Sequence, residues 1–471
     1  MQYSIISKNN IEGAFRIDPE YYHPIHVTLL SRLHRLKSIK LREALTTLTD
    51  MGAFSLYKKE FLVDEGVPFL RVNNIGLNRL KLDSLIYITP EYNDILKKSQ
   101  IHHKDVLLTT KAIIGMSCTV PELTDYYNMS QNLVRIRINE NLLNPYYLST
   151  FLVSKYGYFQ TNRLATGNVQ LYLNFENIGD ILIPRFSDSL YKAIENTVKE
   201  SERQTSLSES VFGLAQQEIL SEIGLINYKA EHCISFVKNY SDTLQADRFD
   251  AEYYQPKYEK VIAAIMGYEG GWDKLGNLVT IKKCFEVGSK EYLEEGIPFI
   301  RVSNLSPFDI SEEKYISEKL YQTITQHQPK KGEILFSKDA TPGIAYYLNE
   351  VPQKMIPSGG ILRLKNKSDK INNEYLTLVL NSILTREQVN RDVGGSVILH
   401  WRPDQVKETV IPILSEAKQT QIQQKVTESF NLRKQSKHLL ECAKKAVEMA
   451  IEQDEQKAIN WLEDETKEIQ I

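Results

Sequence analysis

The residues from Asp105 to Ile223 recur without a gap as the residues from Glu333 to Ile451, and this duplication constrains the chain more than any other feature of it. Gly115 and Gly343, Ser130 and Ser358, Tyr147 and Tyr375, Arg163 and Arg391, Gly167 and Gly395, and Pro184 and Pro412 are each 228 positions apart. Upstream, RIDPEYYHP from Arg16 recurs as RFDAEYYQP from Arg248, 232 positions on. GVPFLRVNNI from Gly66 recurs as GIPFIRVSNL from Gly296, 230 positions on, so only small loop changes separate the copies there. A unit of roughly 230 residues far exceeds the roughly 20 to 50 residues of a solenoid repeat, so this is a duplicated domain and not an array. Two similar domains present two similar surfaces. Partners that need both are symmetric or nearly so, such as duplex DNA with paired half-sites or a pair of identical protein subunits.

With 471 residues, 42% of them apolar, the chain can bury substantial cores. The four cysteines, Cys118, Cys233, Cys284 and Cys442, are scattered and form no CxxC pair. That argues against a disulfide scaffold or a zinc ribbon and predicts a reducing, cytoplasmic setting. No charged segment followed by an apolar run opens the chain, and no stretch of about 18 apolar residues occurs, so a soluble protein without a membrane span is expected. The net charge of −3 does not announce a nucleic-acid binder. Local balance is more informative, because binding depends on local fields. From Lys58 to Gln170 there are 13 basic and 10 acidic residues, from Phe186 to Gln245 there are 5 and 9, and from Glu286 to Pro412 there are 16 and 17. A DNA ligand would therefore need other subunits for part of its phosphate neutralisation.

Each copy opens with a short helix, Pro24 to Leu36 and Pro256 to Met266. Apolar runs after a Gly-x-Pro turn predict strands at Pro68 to Val72 and Pro298 to Val302. Further strands are expected at Val106 to Thr109 and Ile334 to Ser337, and at Leu133 to Ile138 and Ile361 to Leu364. Helices follow at Tyr146 to Lys155 and Glu374 to Leu384, then strands into proline at Ile181 to Pro184 and Val410 to Pro412. The fold class is α/β, mixed, with a largely β body in each copy.

Beyond each terminal proline lies a long segment with little Gly or Pro. Ile194, Val198, Ser201, Thr205, Ser208, Phe212, Ala215 and Ile219 follow alternating steps of 4 and 3, and Ile422, Val426, Ser429, Arg433, Ser436, Leu440, Ala443 and Val447 match them. That is a heptad seam, apolar at both ends and polar in the middle. Paired antiparallel, the two helices would set apolar end against apolar end and polar middle against polar middle. The interface residues are then Ile194, Val198, Phe212, Ile219, Ile422, Val426, Leu440 and Val447. The stretch from Leu190 to Ile223 is on the order of 50 Å of helix at about 1.5 Å per residue, a ruler between one and two turns of B-DNA at about 35 Å each.

The order of these motifs, their duplication and the two long helices resemble the specificity (S) subunit of Type I restriction–modification enzymes. The resemblance covers nearly the whole chain. It implies two duplicated mixed α/β target-recognition domains, separated by an antiparallel coiled-coil pair of long helices in a pseudo-twofold arrangement. The expected boundaries are 1–186 and 226–413 for the recognition domains, 187–225 and 414–455 for the spacer helices, and 456–471 for a C-terminal tail. Each domain would read one half of a split target in double-stranded DNA. Two methyltransferase (M) subunits would dock around the helices, and restriction (R) subunits would join for cleavage. S-adenosylmethionine, ATP and Mg²⁺ would belong to those partners, with no cofactor, metal or chemistry on this chain.

The residues agree with a non-catalytic chain. No GxxxxGK[ST] phosphate loop occurs. Asn144-Pro145-Tyr146-Tyr147 approaches the Asn-Pro-Pro-Tyr motif of amino-methyltransferases, but its repeat is Asn372-Asn373-Glu374-Tyr375, and it reads as a loop entering a helix. Asp18, Glu20, Asp250 and Glu252 are the best paired carboxylates for a metal nuclease. No lysine follows in a suitable arrangement, and the adjacent Tyr21-Tyr22 and Tyr253-Tyr254 point to a packed corner or a protein contact. His23 and His26 are spaced like metal ligands, but Gln255 and Tyr258 replace them in the second copy.

Base reading needs donors and acceptors on loops, with cations for phosphate. Arg71, Asn73 and Asn74 follow the first strand, and Arg301, Ser303 and Asn304 match them. Lys111 and Lys338 lie in the turns leading to Gly115 and Gly343, where a cation and backbone N–H groups could meet phosphate. Asn168 and Gln170 follow Gly167 and have amide groups suited to adenine; the second copy carries Ser396 and an apolar residue there. Different side chains at equivalent loop positions are what two different half-sites require. The alternatives are a DNA-recognition component of another defence or modification system, a stand-alone nuclease, and a protein scaffold that does not touch DNA.

Overall fold

The computed structural model describes residues 5–7, 11, 17–19, 21–52, 59–82, 85–122, 126–167, 170–394, 399–467 and 469. Two compact units emerge, one of residues 1–206 with 434–471 and the other of residues 207–433. Each is mixed α/β.

In the first unit a four-stranded antiparallel sheet has the order Leu45–Thr49, Leu133–Ile138, Val106–Thr109, Ser117–Thr119. The inner strands are covered on both faces, and Val106, Leu107, Leu108, Leu133 and Ile136 are all buried. Burial on both faces explains why they read as near-continuous apolar runs instead of alternating. A smaller sheet joins Leu62–Val63, Ile86–Ile88, Val67–Leu70 and Asn128–Met129. The helix Pro145–Val153 starts on Asn144, whose Oδ1 accepts from the amides of Tyr146 at 2.9 Å and Tyr147 at 3.1 Å. This satisfies N–H groups that the first helical turn leaves open. The Asn-Pro-Tyr-Tyr sequence is thus a helix cap.

The second unit repeats the sheet order with Val279–Lys283, Ile361–Asn366, Glu333–Ser337 and Ala345–Tyr347. Asn372 caps the equivalent helix, Asn373–Leu380, through Tyr375. That helix ends at Leu380 and a second one, Ile383–Asp392, follows from a Ser382 cap. The single helix expected from Glu374 to Leu384 is therefore two, because the Ser382 hydroxyl accepts from the Leu384 amide and restarts the turn. Likewise the expected strands through Val72 and Val302 stop at Leu70 and Ile300, where three-residue 3₁₀ turns begin.

The terminal strands Leu182–Pro184 and Val410–Pro412 are only three residues long and pair with Ser38–Lys40 and Trp272–Lys274. Matched side chains hold their other edge. The Gln160 amide donates to Leu182 O at 2.9 Å and accepts from Leu182 N at 2.9 Å, and Gln388 does the same for Val410 at 3.0 and 2.8 Å. Tyr147 and Tyr375 donate to the carbonyls of Pro184 and Pro412 at 2.7 and 3.0 Å.

The long helices are Asp188–Glu222 and Glu416–Glu452. Within the first unit, Ile194 and Val198 share a core with Ala443 and Val447, and half-buried Leu440 packs against it. Ser201 Oγ lies 2.8 Å from Ser436 Oγ, and Thr205 Oγ1 lies 2.8 Å from the same atom. Within the second unit, Phe212 and Ile219 share a core with Ile422 and Val426. There Ser208 and Ser429 each donate to the other's carbonyl at 2.9 Å, and Lys418 pairs with Glu222 at 2.8 Å. The stretch expected as a C-terminal tail contains a helix, Glu455–Thr466, whose Ala458, Ile459 and Leu462 enter the first unit's core.

Two groups in these cores give measurable expectations. Arg363 makes a two-pronged pair with Glu333, at 2.9 and 3.1 Å, with both side chains almost wholly buried. Glu333→Gln leaves that guanidinium uncompensated and should cost about 3 to 5 kcal/mol in denaturant unfolding; replacing both residues by apolar ones of similar volume should recover most of it. Burial pushes the Glu202 carboxyl up to about 7, against the pull of Lys199. The folded state then holds a proton that the unfolded state releases at lower pH, so this group lowers stability as pH rises from about 4.5 towards 7. Glu202→Gln should raise the unfolding midpoint at pH 8 and leave it nearly unchanged at pH 4.

Candidate nucleic-acid interface

Four loops meet along one edge of the first unit, ganged by main-chain hydrogen bonds. Ser130 N–H donates to Leu70 O at 2.8 Å, joining the 130–132 turn to the turn that starts at Arg71. Thr110 N–H donates to Asn132 O at 3.1 Å, and Leu173 N–H donates to Thr110 O at 3.0 Å. The last loop is a narrow arm closed by Thr166 and Tyr172, each amide donating to the other's carbonyl at 2.9 and 2.8 Å.

The second unit has the same row. Ser358 N–H donates to Ile300 O at 2.8 Å, Lys338 N–H to Gly360 O at 2.9 Å and Trp401 N–H to Lys338 O at 2.8 Å. Its arm is closed by Gly394 and His400, at 3.2 and 2.8 Å. Buried Leu173 and Trp401 anchor the arms in their cores.

This arrangement brings together the loops that hold the sequence-predicted residues, and it divides the residues by role. Asn74 is fully buried; its Oδ1 accepts from Arg71 N at 2.8 Å and its Nδ2 donates to Lys81 O at 3.0 Å. Asn304 is buried in the same way, bonded to Arg301 N at 3.1 Å and Ser311 Oγ at 3.2 Å. Both asparagines hold the turn, and their exposed neighbours Asn73 and Ser303 are what it displays. Arg71 is half-buried with its Nε unpartnered, whereas Arg301 is paired to Glu313. Gln170 is exposed on the first arm. Asn168 and Ser396 lie outside the described residues.

Lys111 and Lys338 are not counterparts. At the spacing of 228, Lys111 matches Asp339 and Lys338 matches Thr110. Lys338 is paired to Asp339, which also lies 2.9 Å from His400 Nδ1 across the base of the arm. Lys111 sits opposite Tyr172 at the corresponding place.

The row also includes residues that sequence reasoning missed: Gln131 and Asn132, with their counterparts Gly359 and Gly360, and Tyr172 with His400. The repeated serine that opens each turn, Ser130 and Ser358, was the available signal. Backbone conformation is shared too. Ala112 and Ala340, also 228 apart, both have left-handed φ values, 63° and 57°. Such a conformation is uncommon for a non-glycine residue.

The paired carboxylates are engaged elsewhere. Asp18 Oδ1 accepts from Tyr21 N at 3.1 Å. Asp250 is paired to Arg248 and Glu252 to Lys257. Arg163 lies over the Tyr21 ring at 3.6 Å and donates to the Tyr21 carbonyl at 2.8 Å. This corner is packed structure. Glu20 lies outside the described residues. Among the described residues no group of three or more His, Cys, Asp or Glu could hold a metal ion, and no helix is long and apolar enough to cross a membrane.

Residues 269–441 match the family model described as the Type I restriction modification DNA specificity domain. Over that segment the chain is similar to this family. The matched segment contains the entire second loop row, from Ile300 to Trp401. No curated protein matches the sequence. Among solved structures, the S subunit of a Type I restriction-modification system from M. genitalium aligns with 14% identity over 90% of this chain and 95% of its own, at a TM-score of 0.34. The HsdS subunit from Thermoanaerobacter tengcongensis aligns with 14% identity over 88% and 96%, at a TM-score of 0.28.

Gly167 leaves no room for a side chain. Gly167 has φ +128°, and a Cβ there would fall 2.2 Å from Gln170 O. Gly167→Ala should therefore open the arm. Amide exchange at Thr166 and Tyr172 is expected to rise by about tenfold or more, while Gly394 and His400 in the matched segment keep their protection.

Proposed function

We propose that the chain is the DNA-specificity subunit of a Type I restriction–modification complex, each unit reading one half of a bipartite target in double-stranded DNA. The observation that carries this is the paired loop row: one backbone framework occurs twice and displays different side chains at its tips. A reader of two unlike half-sites needs that combination, since hydrogen-bonding groups specify bases while the frame sets their register. Asn73, Gln170 and Asn168 would read one half, with Arg71 and Lys111 on phosphate. Ser303, Ser396 and His400 would serve the other half. There Arg301 and Lys338 are already committed to carboxylates, so partner subunits supply more of the phosphate neutralisation on that side.

The long helices fit the same function as an antiparallel coiled coil related by a pseudo-twofold axis, holding the readers at a set spacing. Their flanks would seat two methyltransferase subunits, with restriction subunits joining for cleavage. Methyl transfer from S-adenosylmethionine and the ATP- and Mg²⁺-dependent steps would take place on those partners.

Exchanging residues 58–185 with the same segment of a relative tests the scheme. The complex should then select, from a randomised duplex pool, a target altered in one half and unaltered in the other and in the gap. A change in both halves overturns the modular assignment.

A further inference from the structure

The arms carry one feature that base reading does not require. At the spacing of 228, Gly167, Val169 and Leu171 match identical residues, Gly395, Val397 and Leu399, while Asn168, Gln170 and Tyr172 match Ser396, Ile398 and His400. Leu171 and Leu399 are both exposed, at 52% and 41%. Around the first arm Ile113, Tyr172 and Phe175 are exposed as well, but their counterparts are Thr341, His400 and Pro403. Among the described residues only the leucine persists as an exposed large aliphatic side chain in both rows.

Its position is held firmly. Leu171 adjoins the hydrogen-bonded Tyr172, and the Leu399 carbonyl accepts from Ala340 N–H at 2.9 Å, at the left-handed residue of the neighbouring loop. Leucine has no donor or acceptor, so it cannot read a base edge by hydrogen bonding. Two half-sites of different sequence nevertheless share the deoxyribose rim and the faces of the bases. Those are the apolar surfaces of a duplex, and DNA-binding proteins do insert aliphatic side chains between base steps.

We propose that Leu171 and Leu399 make a matched, sequence-independent apolar contact to each DNA half-site, beside the variable side chains that choose the bases. This rests on the DNA-reading function proposed above. The full-length chain, assembled with its partner subunits, would be tested on the duplex that the wild-type complex selects from a randomised pool and on an unrelated duplex. Leu171→Ala and Leu399→Ala should each weaken binding about tenfold on both duplexes, with the base preference of each half unchanged. Leu171→Met should retain near-wild-type affinity.

2-Aminopurine placed along each half-site separates the two sources of contact. A fluorescence rise that is lost in the alanine variant identifies an unstacked base face, and uniform weakening without that signal identifies deoxyribose. Affinity within twofold of wild type, a base preference altered in one half, or lost partner assembly with intact DNA binding would each overturn the proposal. A wild-type complex that selects no duplex at all would instead overturn the DNA-reading function itself.

Discussion

The loops at the working edge of each unit have almost no regular structure, and main-chain hydrogen bonds running from loop to loop hold them in place. Leu70 to Ser130, Asn132 to Thr110 and Thr110 to Leu173 form a chain in the first unit, and Ile300 to Ser358, Gly360 to Lys338 and Lys338 to Trp401 form it in the second. Because the bonds use peptide groups, they make no demand on the side chains at the tips. Side chains there can change without disturbing the frame, which suits a surface whose chemistry must differ between two copies. Buried polar groups have to be satisfied in any fold. Here the loops satisfy one another's.

Behind the row, the same economy fixes the short strands. A three-residue strand has few ladder bonds of its own. The carboxamides of Gln160 and Gln388 complete the edges of Leu182 and Val410 with one donated and one accepted bond each. The buried pair of Arg363 and Glu333 has a first-unit relative at the same positions, Arg135 and Asp105, where Arg137 joins Asp105 as well. Such pairs are weak contributors to stability but costly to leave half-made, and in both units they tie the central strand to its neighbour.

Much of this frame was legible in the sequence because the duplication marks it. The inner strands, the capping asparagines Asn144 and Asn372 and the heptad positions all lie in register between the copies. The candidate site was less legible. Asn74 and Asn304 look like readers in a polar cluster, yet both are buried turn braces, and their identity in the two copies was the clue, since a brace is kept and a reader is changed. Lys111 and Lys338 both stand in the turn before a matched glycine, yet one is four residues from it and the other five, and that offset puts Asp339 opposite Lys111. The gathering of four loops into one row could not be read at all, because it depends on hydrogen bonds between residues 22 to 63 apart in sequence, and these use peptide groups that carry no sequence signal.

The polar middle of the long helices follows the logic of the buried pairs. Serine in the seam contributes little apolar burial, so a helix pair built for strength alone would carry leucine there. Ser201 with Ser436, and Ser208 with Ser429, instead satisfy each other and a facing carbonyl. A slip of one heptad along the seam would set Ser208 against Ile422 or Ser201 against Ala443 and take away that hydroxyl's serine partner, a cost of about 1 to 3 kcal/mol for each buried group left unsatisfied. Polar groups in a coiled-coil seam are known to fix register at some expense in stability. Register is the property worth that expense, and the serines that hold it lie midway along each helix.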